Sequence, residues 1–329
     1  MKKSFKRISL FLFSAVIMTS SLPAMTFSAS ALSNEKVYAG NEQIWETVTY
    51  DYVTKTEKVE QVEKSSFKAD IQSKLQSMGL TEENITQAYN PGIPEQSDII
   101  IPQAVHGDDD RDPVNPNNSP YCRILALKLG QDTNGNGVAD TWGYGTGFLE
   151  GYDVMATAGH CFWGGSSRGW VEECRIYVRQ NSGTYGSTFY YPLNWTCAAN
   201  YTSSGDTNYD WCAVTLQNNL GSANGWFGKG WSSGSINGKS VTVSGYPGDH
   251  LGFQYKDNGT TSGSTTYKVL YDIDTAGGQS GSPVYDSNGI VWAIHTYSSS
   301  SPNNCGNRIT EWLYTILQNK YLEGVKKWG

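Results

Sequence analysis

The 329-residue sequence is short of charge, of histidine and of long apolar runs. Charged residues make up 17% of it, and only four histidines are present, His106, His160, His250 and His295, so an imidazole base has few candidates. The one apolar run, residues 8–18, follows the basic start Met1-Lys2-Lys3-Ser4-Phe5-Lys6-Arg7 and leads to Ala29-Ser30-Ala31. At about a dozen residues it is too short for the roughly 20 that a spanning helix needs, and its flanks are those of a signal peptide over residues 1–31. No later stretch is apolar enough to span, which argues against a membrane and for export. There is no Cys-x-x-Cys pair, so a zinc site has no sequence support. Basic clusters are missing too: from Ala104 on, 14 Lys plus Arg stand against 19 Asp plus Glu, 14 − 19 = −5. That balance disfavours nucleic acid as a partner.

Scarcity is also uneven along the chain. Residues 1–103 hold three of the 36 glycines, one of the 11 tryptophans and no cysteine. Residues 32–103 are rich in Lys and Glu, with Ala69, Ile71, Leu75 and Met78 at helical spacing before Gly79. The expectation is a propeptide ending between residues 95 and 105, with a small independent domain as the alternative. Residues 104–329 are rich in Gly, Ser, Thr, Tyr and Trp and broken by turn formers, which predicts an all-β domain of short antiparallel strands. Strands are expected at 121–129, 146–156 (interrupted at 150–153), 175–179, 188–191, 213–216, 240–245, 268–273, 283–285 and 290–295. Thr310 is placed to cap a final helix with Leu313, Ile316, Leu317 and Tyr321 on one face. Two packed antiparallel barrels suit this pattern.

Six cysteines in an exported chain suggest up to three disulfides. Proximity in sequence favours Cys161 with Cys174 and Cys197 with Cys212, leaving Cys122 with Cys305. Asp132, Asn134, Asn136 and Asp140 carry oxygen side chains near a glycine, in the manner of a calcium loop; Gly143 stands where a closing Glu would be, and a plain hairpin turn explains the spacing as well. No cofactor is otherwise required.

Two short motifs bear chemistry. Thr157-Ala158-Gly159-His160-Cys161 presents a histidine behind small residues, and Gly277-Gly278-Gln279-Ser280-Gly281-Ser282-Pro283 presents a serine in a glycine-rich turn. A serine hydroxyl needs a base to act as a nucleophile, and the base needs a carboxylate to fix its tautomer. His160 is the candidate base. Asp210, just before the apolar strand 213–216, is the candidate carboxylate, with Asp206 as rival. The amides of Gly278 and Ser280 are the candidate oxyanion donors.

With Asn208-Tyr209-Asp210 and residues 243–249 (Val-Ser-Gly-Tyr-Pro-Gly-Asp), these motifs resemble, in order and over nearly all of 104–320, the bacterial glutamyl endopeptidases, extracellular relatives of chymotrypsin and trypsin. The resemblance implies a chymotrypsin-like double β-barrel with a C-terminal helix and the site between barrels. It implies His160 as base, Asp210 as its partner and Ser280 as nucleophile. It further implies a secreted monomeric serine endopeptidase that cleaves proteins or peptides after Glu, less often Asp, and a propeptide that inhibits until it is removed. His295 matches the family histidine of the primary pocket, and Thr275 would add a hydroxyl there. Against this, Asp274 lies six residues before Ser280, where trypsin-like enzymes keep the carboxylate that selects Arg or Lys. A catalytically silent surface-binding relative is the remote alternative. Two departures stand out: Gly145 occupies the place of the cysteine that partners the one after the active histidine, and Gln279 replaces the aspartate before the serine. The resemblance puts the mature N-terminus near the specificity pocket, next to Gly107-Asp108-Asp109-Asp110-Arg111.

Overall fold

The computed structural model describes residues 43–95, 109–297 and 304–329; the expected signal peptide and most of the expected cleavage zone lie outside them. In chain order the strands begin β1 (Ile44–Asp51), β2 (Thr56–Glu63), β3 (Asp112–Pro113), β4 (Ile124–Gln131), β5 (Thr141–Leu149), β6 (Val154–Thr157), β7 (Glu173–Val178) and β8 (Pro192–Ala198). They continue with β9 (Cys212–Leu216), β10 (Gly228–Lys229), β11 (Ser240–Gly245), β12 (Tyr255–Ser264), β13 (Lys268–Tyr271), β14 (Pro283–Tyr285), β15 (Ile290–Tyr297) and β16 (Asn304–Arg308).

Two sheets result. The second runs β10-β15-β14-β11-β12-β13-β16, and β16 pairs again with β15, so β11 to β16 close into a six-stranded barrel. The first runs β2-β1-β8-β9-β6-β5-β4-β7. Its last six strands come from the expected protease body, and the N-terminal segment adds β1 and β2 beyond β8. The architecture is the expected chymotrypsin-like one with a C-terminal helix. The described N-terminal residues, however, do not stand apart as an independent domain, because their strands continue the body's own sheet.

Local sequence explains most elements. β4 is apolar at nearly every position and is covered on both faces, as its burial shows. Asp286 accepts the amides of Asn288 and Ile290 and so closes the β14–β15 hairpin. Thr310 accepts the Leu313 amide at 3.3 Å and starts the C-terminal helix Glu311–Trp328. The expected Leu313, Ile316, Leu317 and Tyr321 face is buried there. Buried Lys320 of the same helix donates to Asn194 and Thr215, fixing the helix to β8 and β9. Ile71 and Leu75 form the buried stripe of helix α1 (Lys64–Ser77), followed by the short α2 (Glu82–Thr86) and α3 (Ala199–Ser204); the C-terminal helix is α4.

Three expectations need correction. Residues 188–191 form no ladder; Tyr190 makes a single bridge to Ile176, and the strand starts at Pro192. β12 and β16 were not anticipated, because Gly, Asn and hydroxyl residues mask strands that pairing within the barrel imposes. Cys122 and Cys305 are not neighbours: the Cys122 thiol donates to the Asn224 carbonyl, whereas Cys305 stands on β16 opposite Leu270 and Tyr297. All six thiols are buried and none is joined, although Cys197 stands directly opposite Cys212 across the β8–β9 ladder. The Asp132–Asp140 stretch is the β4–β5 connection. Asp132 accepts the amides of residues 134 to 137, and Asp140 accepts from Thr133 and Asn134.

Candidate active site

β6 ends at Thr157, and the chain turns through Gly159–Cys161 with His160 at its centre. A side chain at Gly159 would put its Cβ 2.9 Å from both Asp210 Oδ1 and the Tyr201 ring, so glycine is what lets the two groups close on each other. Asp210 ends the 3₁₀ turn Thr207–Tyr209 and leads into β9. Its carboxylate is completely buried. Oδ1 accepts the His160 backbone amide at 2.8 Å, and Oδ2 lies 2.8 Å from His160 Nδ1. Burial by itself would raise the Asp210 pKa. The facing His160, a hydrogen bond from the Tyr297 hydroxyl and the charge of Lys268 outweigh burial and hold it below the ordinary carboxylate value. Nδ1 of His160 is thereby engaged as donor, which leaves Nε2 as the basic nitrogen. The imidazole keeps 18% of its side-chain surface open.

Ser280 is half-buried in the turn between β13 and β14. A residue of the other sheet pins this turn: Thr146 N donates to the Ser280 carbonyl at 2.9 Å, and Thr146 Oγ1 donates to the Gly278 carbonyl at 2.9 Å. The Cys161 thiol, next to His160, also faces the Ser280 carbonyl at 3.6 Å. Gly278 has φ +100°, and a Cβ there would meet the Tyr246 carbonyl at 2.7 Å, so the turn admits no side chain. Gln279 is buried and accepts the Ala276 amide at 2.8 Å through Oε1, closing the turn on itself. Among the described residues, neither the Gly278 nor the Ser280 amide donates to a protein acceptor, which leaves both for a ligand.

His295 lies on β15 beside this turn. Its amide donates to the Ser282 carbonyl at 2.8 Å and its carbonyl accepts the Gly281 amide at 2.7 Å. The ring is buried, with Nδ1 2.6 Å from the Tyr271 hydroxyl. Burial, and then the neighbouring His160, push its pKa down to about 3, so the imidazole is neutral. Thr275 is half-buried and Asp274 exposed on the strand-to-turn approach. The Asp274 amide donates to Asp257 at 2.7 Å. Burial, and then the carboxylate of Asp274 with a hydrogen bond to it, raise the pKa of Asp110. Arg111 bonds Asp109 and Asp249, so residues 109–111 lie against the 246–249 turn. His250, the remaining described histidine, stacks on Tyr255, with its Nε2 4.0 Å from Asp109 Oδ2.

The structure thus brings His160 and Asp210 into direct contact and sets Gly278 and Ser280 in a turn whose next two residues, Gly281 and Ser282, are hydrogen-bonded to the His295 backbone. It also assembles groups that no motif announced. Tyr297 packs 5.5 Å from the His160 ring and bonds Asp210. Tyr271 holds His295, and Thr146 clamps the serine turn. Lys268 and Asn307 both bond the Thr207 carbonyl just before Asp210. No local signal could have flagged them: even on β15 the register shifts between His295 and Tyr297, so strand alternation does not relate the two.

Comparison with known proteins agrees with this picture. The profile of the trypsin-like peptidase domain matches residues 145–294. Glutamyl endopeptidase of Bacillus licheniformis is 35% identical over 236 residues, 66% of this chain and 69% of the relative. An extracellular metalloprotease of Bacillus subtilis is 33% identical over 231 residues, 67% and 70% of the two chains. Among solved structures, a Glu endopeptidase in complex with MPD superposes with TM-score 0.57 at 24% identity, covering 65% of this chain and 98% of that one. The protease Anisep of Arthrobacter nicotinovorans superposes with TM-score 0.50 at 16% identity, over 62% and 96%. Both superpositions speak for the fold.

Proposed function

The chain belongs to the trypsin-like serine peptidases, the family that includes the glutamyl endopeptidases, and from that premise we propose that it cleaves proteins or peptides on the carboxyl side of Glu, less often Asp. In this reading the enzyme is exported, works as a monomer, and is made with an N-terminal segment that is cut from the protease body between residues 95 and 105. Ser280 Oγ attacks the scissile carbonyl while His160 Nε2 takes its proton. Asp210 keeps His160 in the right tautomer and stabilises the imidazolium as it forms. The amides of Gly278 and Ser280 receive the oxyanion. His160 then protonates the leaving amine, and water releases the acyl group by the reverse sequence.

The observation that carries this reading is the buried Asp210 carboxylate with both oxygens committed to His160, each at 2.8 Å. Specificity rests on His295. A Tyr271 hydroxyl that donates to Nδ1 leaves Nε2–H to donate to a substrate carboxylate. The alternative, selection of Arg or Lys by Asp274, has less support: that side chain is exposed and is hydrogen-bonded with the Asp110 carboxyl, not set at the floor of a closed pocket.

Ser280→Ala tests the chemistry. Peptide hydrolysis and labelling by a serine-directed phosphonate should fall to background with the circular dichroism spectrum unchanged, and residual turnover would sink the assignment. Cleavage-site profiling of the matured enzyme on a peptide library tests the specificity; a preference for Arg or Lys would reject the glutamate reading.

A further inference from the structure

We propose that the N-terminal segment Gln43–Glu95 is a folding clamp: it docks by strand addition on the rear of the protease body, ties the two sheets together, remains bound after the chain is cut, and leaves the catalytic cleft open. The proposal rests on the reading that the chain is cut between residues 95 and 105.

The argument begins with β8. Its Thr196–Trp195–Asn194 stretch would be an exposed edge without the segment; with it, β1 pairs antiparallel over Thr47–Asp51 against Asn194–Ala198. Unpaired edges with apolar flanks invite association with other chains, and strand addition is the common way of covering them. Side chains reinforce the pairing. Tyr50 stacks on fully buried Trp195 at 4.8 Å, and Thr49 bonds Thr196 across the ladder. Trp45 stacks on Trp312 of α4 at 6.0 Å. β2 is polar on nearly all of its length and so ends the extended sheet with a solvated face.

The segment then crosses to other parts of the body. Lys64 and Lys68 of α1 pair with Glu311 at the start of α4. Glu82 accepts from Tyr314 at 2.9 Å and from Gln318 at 3.3 Å. The Ile85 carbonyl accepts from buried Lys229 of β10, and Tyr89 exchanges both backbone hydrogen bonds with Trp226 at 3.0 Å. β10 belongs to the second sheet, so one continuous segment is bonded to the edge of the first sheet, to the C-terminal helix and to the second sheet. Lost contacts of this kind would expose Trp195, Trp226 and Trp312 together.

None of these contacts is with His160, Ser280 or His295. The nearest approach is indirect: β1 packs on α3, whose Tyr201 lies behind Gly159 and Asp210. The clamp thus approaches the candidate site only through Tyr201, which lies beside Gly159 and Asp210, and its contacts leave the His160 ring untouched. A plug would instead cover the ring's open edge.

The test uses the full chain with a site for an unrelated sequence-specific protease placed between Pro102 and Val105, so it does not depend on how natural maturation proceeds. In a Ser280→Ala background the cut pieces should co-elute on gel filtration without denaturant at micromolar concentration; separation of the pieces overturns the proposal. In the Ser280 background the cut, still associated protein should hydrolyse a short P1-Glu peptide at a rate that Trp45→Ala or the milder Trp45→Phe does not raise. A fivefold or larger gain on weakening the clamp would mean that the segment blocks the site and would overturn the proposal. The same substitutions should lower the yield of active enzyme on refolding of the uncut chain from guanidinium at least fivefold for Ala and less for Phe; unchanged yields for both would remove the folding role. Failure of natural processing at 95–105 with co-elution intact would overturn only the maturation reading.

Discussion

Tyr271→Phe separates control of the pocket histidine from every other function of the site. The hydroxyl is 2.6 Å from His295 Nδ1 and reaches it from β13, the strand that leads into the Ser280 turn. A neutral hydrogen bond of this kind contributes about 0.5–1.5 kcal/mol net. If its work is to keep the proton on Nε2, removing it lets the second tautomer compete. At 1.36 kcal/mol per decade, kcat/KM toward peptides with P1 Glu should drop about 2- to 13-fold. Peptides with P1 Ala have no carboxylate for Nε2–H to meet, so their kcat/KM should stay within twofold. Matched peptides differing only at P1, assayed after active-site titration, give the ratio directly. An unchanged Glu/Ala ratio would refute the tautomer argument, and an equal loss on both substrates would mean that Tyr271 only supports the fold. The pH dependence has a definite sign. Burial holds the His295 pKa at about 3, below its unfolded value of about 6.5, so the folded state binds fewer protons and stability is lost as pH falls from about 6.5 towards 3. His295→Gln in the Ser280→Ala background should shrink that acid loss in urea unfolding; an identical pH profile would count against a neutral buried imidazole.

Further outcomes are expected from single changes elsewhere. Gly278→Ala must move either its own φ of +100° or the Tyr246 carbonyl 2.7 Å away, so one oxyanion donor is displaced; kcat should fall about 10²- to 10³-fold with KM little changed, as pre-steady-state and steady-state assays would show. Gly145→Cys puts a Cβ 3.0 Å from Cys161 Sγ, close to the spacing that an S–S bond of about 2.0 Å imposes, so the variant should form a 145–161 disulfide on oxidation. Mass spectrometry of the unreduced protein would detect it, and a thiol count unchanged in the folded, oxidised state would contradict the geometry. Lys229→Met strips the cation from fully buried Glu150, 3.2 Å away, and should destabilise by about 3–5 kcal/mol near neutral pH. Because burial already lifts the Glu150 pKa to about 7, the loss should ease on acidification, when the carboxyl takes a proton; urea midpoints at pH 5.5 and 8 measure this.

The candidate site was legible where it is local. A serine turn that tolerates no side chain at Gly278, a histidine behind Gly159 and an aspartate ahead of an apolar strand each carry their reason within a few residues. The hairpin at Asp286–Gly289 and the Thr310 cap were legible for the same cause. What escaped was whatever depends on pairing across the chain. Nothing near Gly-Asn-Arg at 306–308 advertises a strand, because β16 is formed by its two partners, β13 and β15. The attachment of β1 to β8 was equally hidden, since a Lys- and Glu-rich segment with a helix reads as a separate unit until Trp45 and Tyr50 meet Trp312 and Trp195.

The same distinction explains why a sequence can name the three catalytic candidates without explaining their alignment. Asp210 belongs to the first sheet and Ser280 to the second, so their relation depends on contacts between sheets. Lys268 and Asn307, both on strands of the closed barrel, bond the Thr207 carbonyl, and Asn307 also bonds the Asn208 carbonyl at 2.9 Å. Thr146, from β5, returns the favour by holding the Gly278 and Ser280 carbonyls. Each sheet therefore fixes a loop of the other that carries a candidate catalytic residue, through polar groups aimed at backbone carbonyls. A small rotation between the sheets would strain both sets at once, which ties the inter-sheet angle to how the candidate base His160 and the candidate nucleophile Ser280 face each other.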